Sequence, residues 1–224
     1  MADTHIKGYI FDIDHTLLNS DKAHIDAALE AFKHFGVSRT YEDVLKYFDK
    51  ATDEIFSLVT GEDYHNPKEI ADLKTELLIN QIKKDRDVAP LYPHVPEIFS
   101  EILEEGGKIG IVSNNFDSVI EAIIEAYGWQ DKVSDYVGID QVKKRKPHPE
   151  MVKKMIDKIQ LSPQECAMIG DSIYDAQAGL SAGAFAVSVC TGHFSEKDFQ
   201  KVSPHLILES ISDLYDLLPL KFSF

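Results

Sequence analysis

Asp12 and Asp14 stand two residues apart at the end of an apolar run, Phe11-Asp12-Ile13-Asp14-His15-Thr16-Leu17. In an extended backbone they point to the same side, and two carboxylates so placed repel unless a cation lies between them. A hard divalent ion such as Mg²⁺, which takes oxygen ligands, would serve. The plainer reading is a polar strand end with a capping Asp. In Ile111-Val112-Ser113-Asn114-Asn115 a hydroxyl and an amide follow another apolar run. They suit hydrogen bonding to a phosphoryl oxygen, or capping of the next helix. Lys143-Lys144-Arg145-Lys146-Pro147-His148-Pro149 is the densest basic cluster in an acidic chain. Its prolines stiffen the loop and would hold Lys146 in place to offset a bound phosphate and a carboxylate nucleophile. A solvated basic loop is the alternative. Finally, Asp171 and Asp175 lie four apart in Met168-Ile169-Gly170-Asp171-Ser172-Ile173-Tyr174-Asp175. If a helix starts near Ser172, both carboxylates can face the same sheet edge; helix capping by Asp171 is the simpler role.

The elements that must position these residues follow from periodicity. Gly8 to Ile13, Lys108 to Ser113, Tyr136 to Ile139, Ala167 to Gly170, Phe185 to Val189 and Leu206 to Leu208 are apolar on consecutive positions, as buried parallel strands are. Helical spacing recurs between them, in Val95-Ile98-Phe99-Ile102-Leu103, in Val119-Ile120-Ile123-Ile124 up to Gly128, and in Met151-Val152-Met155-Ile156-Ile159 after Pro149. Ile211, Leu214, Tyr215 and Leu218 close the chain in the same pattern. Alternation of this kind predicts a doubly wound α/β sheet, whose ligands bind at the carboxyl ends of the strands. All four chemical segments fall there.

Leu17 to about Tyr92 breaks the alternation. Helical patterns run through Ile25-Ala28-Leu29-Phe32 to Gly36, through Val44-Tyr47-Phe48-Ala51-Ile55-Leu58-Val59 to Gly61, and through Ile70-Leu73-Leu77-Leu78-Ile82. That is too much helix for a simple crossover of on the order of 12 residues. An inserted helical domain over 17–92 is expected, with the core formed by 1–16 and 93–224 and with Pro90, Pro93 and Pro96 in the return linker.

Bulk properties limit the partners. The 224 residues carry 23 basic and 38 acidic side chains, a net charge of -15, which repels nucleic acid backbones and anionic lipid. No apolar run approaches the roughly 20 residues that span a membrane, and the polar start from Met1 to Lys7 lacks the features of a signal peptide. The cytoplasm is the expected compartment. Cys166 and Cys190 sit in apolar runs and read as buried thiols rather than a disulfide.

Taken in order, the segments resemble the haloacid dehalogenase (HAD) superfamily of hydrolases. Asp12 to Thr16 match its DxDxT motif, Ser113 its Ser/Thr motif, Lys146 its Lys motif and Gly170 to Asp175 its GDSxxD motif; the insertion matches its helical C1 cap. The resemblance implies a Rossmann-like core and a Mg²⁺-dependent phosphatase of the phosphoglycolate phosphatase type, acting on a small phosphomonoester metabolite. It implies that Asp12 becomes an aspartyl phosphate, that Asp14 acts as acid and then base, and that Ser113, Asn114 and Lys146 bind the phosphoryl group. Asp12, Asp14 and Asp171 would hold the metal, with Asp175 in support.

Two departures stand out. The position after Asp14 is usually Gly but is His15 here, expected to turn its ring to the surface. Leu18-Asn19-Ser20 replaces a common Val-Asp-Ser stretch. Asp14 argues against a dehalogenase. A phosphomutase of the β-phosphoglucomutase type shares the motifs, whereas a receiver-like signalling module fits neither the Asp12/Asp14 spacing nor the insertion. Tyr41, Tyr47, Tyr64 and His65 are candidates to face the substrate.

Overall fold

The computed structural model describes residues 3–45 and 67–223. Six parallel strands form the central sheet in the order β4-β3-β2-β5-β6-β7: β2 (Gly8–Phe11), β3 (Lys108–Val112), β4 (Val133–Val137), β5 (Cys166–Gly170), β6 (Phe185–Val189) and β7 (Leu206–Leu208). Consecutive apolar residues are needed because both faces are covered. Tyr9, Phe11, Ile109, Ile111, Ala167 and Ile169 turn to one face, where α4 (Val95–Glu104) and α5 (Asp117–Tyr127) pack. Their intervening neighbours Ile10, Val112, Cys166 and Met168 turn to the other, beneath α6 (Glu150–Ile159) and α7 (Ile173–Ala182). The period of two in a strand thus divides one apolar run between two cores.

Three expectations need correction. The fourth strand lies earlier than Tyr136 to Ile139, because Ile139 opens a 3-10 turn. Pro96 belongs to the first turn of α4, where a missing N–H costs nothing, so it is not linker. The chain does not close on a helix either. After α8 (Glu196–Val202), α9 covers only Ser212–Tyr215, and β8 (Lys221–Ser223) then pairs antiparallel with β1 (Asp3–His5) in a small second sheet.

Between β2 and α4 the described α-helices are α1 (Asp21–His34), α2 (Tyr41–Leu45) and α3 (Pro67–Lys84), followed by a 3-10 turn over Arg86–Val88. Ile25, Ala28, Ala31, Phe32, Val44, Ile70 and Ala71 form a cluster of their own there. Ala23, Ala27, Leu78 and Ile82 instead join the core against the sheet. The chain leaves and re-enters side by side: Asn19 N–H donates to the Pro90 carbonyl and Tyr92 N–H to that of Leu17. The helix expected from Val44 to Val59 lies, beyond Leu45, outside the described residues, as do Tyr47, Tyr64 and His65. Among the described residues no helix is long and apolar enough to cross a membrane.

Both cysteines are free. Cys166 opens β5 and Cys190 follows the end of β6, and the register Ala167↔Phe185 separates them by roughly 20 Å along the sheet at about 3.3 Å per residue. A disulfide needs Cα atoms within about 7 Å. Alkylation under denaturing, non-reducing conditions should therefore count two thiols. An intramolecular bridge would contradict this strand order.

Candidate active site

The sheet brings the four segments together at one edge. β2 pairs with β3 on one side and β5 on the other, so Asp12, Ser113 and Asp171 are each the first residue beyond one of three adjacent strands. From β2 the strand order runs outward in both directions, through β3 and β4 on one side and β5, β6 and β7 on the other, and a doubly wound sheet opens its ligand crevice at such a switch point.

Lys146 is the inward member of the basic cluster. Lys143 and Lys144 are exposed, and their backbone N–H groups donate to the Glu150 carboxylate. The Lys146 side chain is only 2% exposed, and its Nζ lies 2.9 Å from Asp12 Oδ1, 2.6 Å from Asp175 Oδ1 and 3.1 Å from the Val112 carbonyl. The Ser172 hydroxyl and N–H both donate to Asp175 Oδ2, and Ser172 caps α7. Both oxygens of Asp175 are thus engaged by protein donors. Gly170 makes the turn feasible, since a Cβ there would lie 2.3 Å from Asp175 Cγ.

Asp12, Asp171 and Asp175 are buried and each offers a carboxylate oxygen within 4.8 Å of the others. Among the described residues, Lys146 is the one ammonium seen against them. Burial pushes the Asp12 carboxyl up to about 7; Lys146 opposes this, and the charges of Asp175 and Asp14 add to it. Asp171 is raised well above its ordinary value by burial and by the charges of Asp175 and Asp12. All-oxygen donors with surplus negative charge in a dry site fit a hard divalent cation. Thr16 Oγ1 lies 3.3 Å from Asp171 Oδ1, and a Cβ on Gly192 would come within 1.9 Å of Asp171 Oδ2. The loop after β6 therefore presses its backbone onto this carboxylate.

Asp14 points to different partners. Ser20 donates to its Oδ1 at 2.6 Å, His24 Nε2 lies 3.1 Å from the same oxygen, and Asn115 Nδ2 donates to Oδ2 at 2.6 Å. Behind His24, the buried Lys74 Nζ lies 2.9 Å from Nδ1. An ammonium has no acceptor, so Nδ1 accepts and Nε2 carries the proton given to Asp14. Burial lowers the pKa of His24, and it pushes Lys74 down to about 8. Burial alone would raise Asp14, yet its donors outweigh that and hold its carboxyl well below the usual range.

Ser113 is buried and its hydroxyl accepts from both Asn115 N–H and Asn115 Nδ2. Asn114 Oδ1 is buried beside it without a hydrogen bond. Sequence reasoning selected Asn114 and passed over Asn115, Ser20, His24 and Lys74. Ser20 lay in a stretch already singled out, and His24 follows it by one helical turn; Lys74, some fifty residues on, gave no local signal. Tyr41, a substrate-facing candidate, is exposed.

His15 corrects an expectation. Its ring is buried rather than turned to the surface, with Nε2 3.0 Å from Asp21 Oδ1. Its φ of 57° lies in the left-handed region, which explains why glycine suits this position.

The haloacid dehalogenase-like hydrolase profile matches residues 9–189, a span containing all four segments. The chain belongs to this family. Among curated proteins it is 27% identical over 207 residues to pyrophosphatase PpaX of Listeria monocytogenes serotype 4b, covering 92% of this chain and 93% of the relative. PpaX of Bacillus velezensis is 26% identical over 227 residues, 99% of this chain and 100% of the relative. Among solved structures, CbbY from Rhodobacter sphaeroides in complex with phosphate superposes with a TM-score of 0.81 at 18% identity, covering 93% and 96% of the two chains. A hydrolase from Pseudomonas syringae gives 0.76 at 21%, covering 95% and 97%. These likenesses confirm the α/β fold.

Proposed function

We propose that this hydrolase is a Mg²⁺-dependent phosphatase that cleaves a small phosphomonoester metabolite through an aspartyl phosphate on Asp12. The observation that carries the reading is the division of the two motif carboxylates. Asp12 faces Lys146 and the acidic cluster, while Asp14 is gripped by Ser20, His24 and Asn115. One is placed to attack, the other to move a proton.

In the first step an Asp12 oxygen forms a bond to phosphorus as the ester bond breaks, and the Asp14 carboxylate takes up the proton of a phosphomonoester monoanion and passes it to the leaving oxygen. In the second, Asp14 takes a proton from water, the water oxygen attacks phosphorus, and Asp12 is released with inorganic phosphate. Ser113, Asn114 and Lys146 hold the phosphoryl oxygens, and Lys146 keeps Asp12 oriented. Asp12, Asp171 and the Asp14 backbone carbonyl would hold Mg²⁺, which supplies charge neutralisation at the transferring group. Asp175, its oxygens taken by Lys146 and Ser172, supports rather than binds.

Residues 17–92 act as a cap in this reading. Their separate apolar cluster and the paired crossing at Leu17–Asn19 and Pro90–Tyr92 support a body hinged there. A cap admits small substrates and excludes water. The two free thiols suit the cytoplasm. The name of the PpaX relatives supports inorganic pyrophosphate as a second candidate substrate. A panel of phosphorylated metabolites with pyrophosphate, assayed with Mg²⁺, decides between them. Phosphoenzyme that passes its phosphate to a sugar phosphate rather than to water would make the protein a phosphomutase instead.

Metal dependence is the direct check. Chelation should abolish turnover and Mg²⁺ restore it, and Asp171→Asn should shift the Mg²⁺ titration to higher concentration. Full activity in excess chelator overturns the metal assignment.

A further inference from the structure

We propose a second metal site, for a zinc-class divalent transition ion, formed by His15, Asp21 and His193. Three separate segments supply the ligands: the loop after β2, the first residue of α1, and the loop between β6 and α8. His15 Nε2 lies 3.0 Å and His193 Nε2 3.4 Å from Asp21 Oδ1. One donor atom from each residue lies within 4.8 Å of the other two. A tetrahedral zinc ion with bonds of about 2.0–2.1 Å spaces its ligands about 3.3 Å apart. The donors are already gathered near that spacing, and little movement would seat an ion.

Donor chemistry separates this site from the acidic cluster. Two imidazole nitrogens and one carboxylate favour zinc or its neighbours, whereas Asp12, Asp171 and Asp175 offer only oxygen. The Asp21 and His193 side chains are 27% and 39% exposed, which gives an ion an entry path and leaves a fourth position to water.

The backbone supports the same reading. His15 occupies a left-handed conformation that glycine adopts at lower cost, so the imidazole is kept against a local penalty. The Thr191 hydroxyl donates to the His15 carbonyl, which ties the loop bearing His193 to the loop bearing His15. The rings of His15 and His193 meet edge to face with centroids 4.9 Å apart. An ion here would staple the start of α1 to the β6–α8 loop, whose Gly192 rests on Asp171. It would resist separation of the helical insertion from the core.

The test uses the full chain, stripped of metal and then saturated with Mg²⁺ to fill the acidic cluster. Co²⁺ is titrated by visible absorption and Zn²⁺ by calorimetry. One equivalent of each should bind while Mg²⁺ is present, Co²⁺ with a low-symmetry d–d band. Affinity should fall at least tenfold in His193→Ala, a change on a part-exposed loop, and in His15→Gly, which keeps the positive φ without strain. Unchanged affinity in both variants overturns the site. So does displacement of Co²⁺ by Mg²⁺, which would put the ion in the acidic cluster, and so does a wild-type Zn²⁺ Kd of about 1 mM or weaker.

Discussion

Asp12→Asn should remove turnover by roughly 10⁴- to 10⁶-fold and leave no phosphoenzyme with any substrate. The amide lacks the charge that attacks phosphorus. The fold should survive, because Lys146 keeps Asp175 at 2.6 Å and the Val112 carbonyl at 3.1 Å. Removing one of three crowded carboxylates also relieves repulsion in a dry site, so the apo variant should melt no lower than wild type. Steady-state rates, intact mass after rapid acid quench and a thermal melt together separate lost chemistry from lost structure. A phosphate label on the variant would place the nucleophile elsewhere.

Asp12 and the Asp171/Asp175 pair were legible in the sequence because each is fixed locally; Lys146 stood out only within the basic cluster before Pro147, and its contacts to Asp12, Asp175 and the Val112 carbonyl come from distant segments. Asp12 and Asp171 follow apolar strands by one residue, and Asp175 is set by the helix that Ser172 caps. Apolar run length made five strands of the sheet readable; the edge strand β4 carries Ser134 and Asp135, and its expected place fell too late in the chain. The three-residue strands β1 and β8 were not readable, because each is held by the other across the length of the chain. Lys74 was hidden for the same reason. On its own helix it looks like any surface lysine, and its burial depends on α1 packing across α3 to bring His24 against it. His15 was misjudged because sequence shows that a residue is larger than glycine but not which way its ring turns. Asp21, at the start of α1, decides that.

The second carboxylate makes the sharper test, because Asp14→Asn should separate the two half-reactions. Ser20, His24 and Asn115 converge on Asp14 as donors. An asparagine there can still accept from Ser20 and His24 through its oxygen, and the Asn115 amide can turn over to meet the new NH₂ group. The site should therefore hold its shape while losing a group that moves protons. With an ordinary alkyl phosphate both steps suffer, and turnover should fall roughly 10²- to 10⁴-fold. With an activated leaving group, such as a nitrophenolate, departure needs little protonation and Asp12 can still be phosphorylated. Hydrolysis of the aspartyl phosphate lacks its base in both cases. The variant should then show a burst of leaving group near one equivalent, a slow steady state, and a mass gain of one phosphoryl group on Asp12. A variant that turns over normally, or one whose label falls outside Asp12, would show that the two carboxylates do not divide the work in this way.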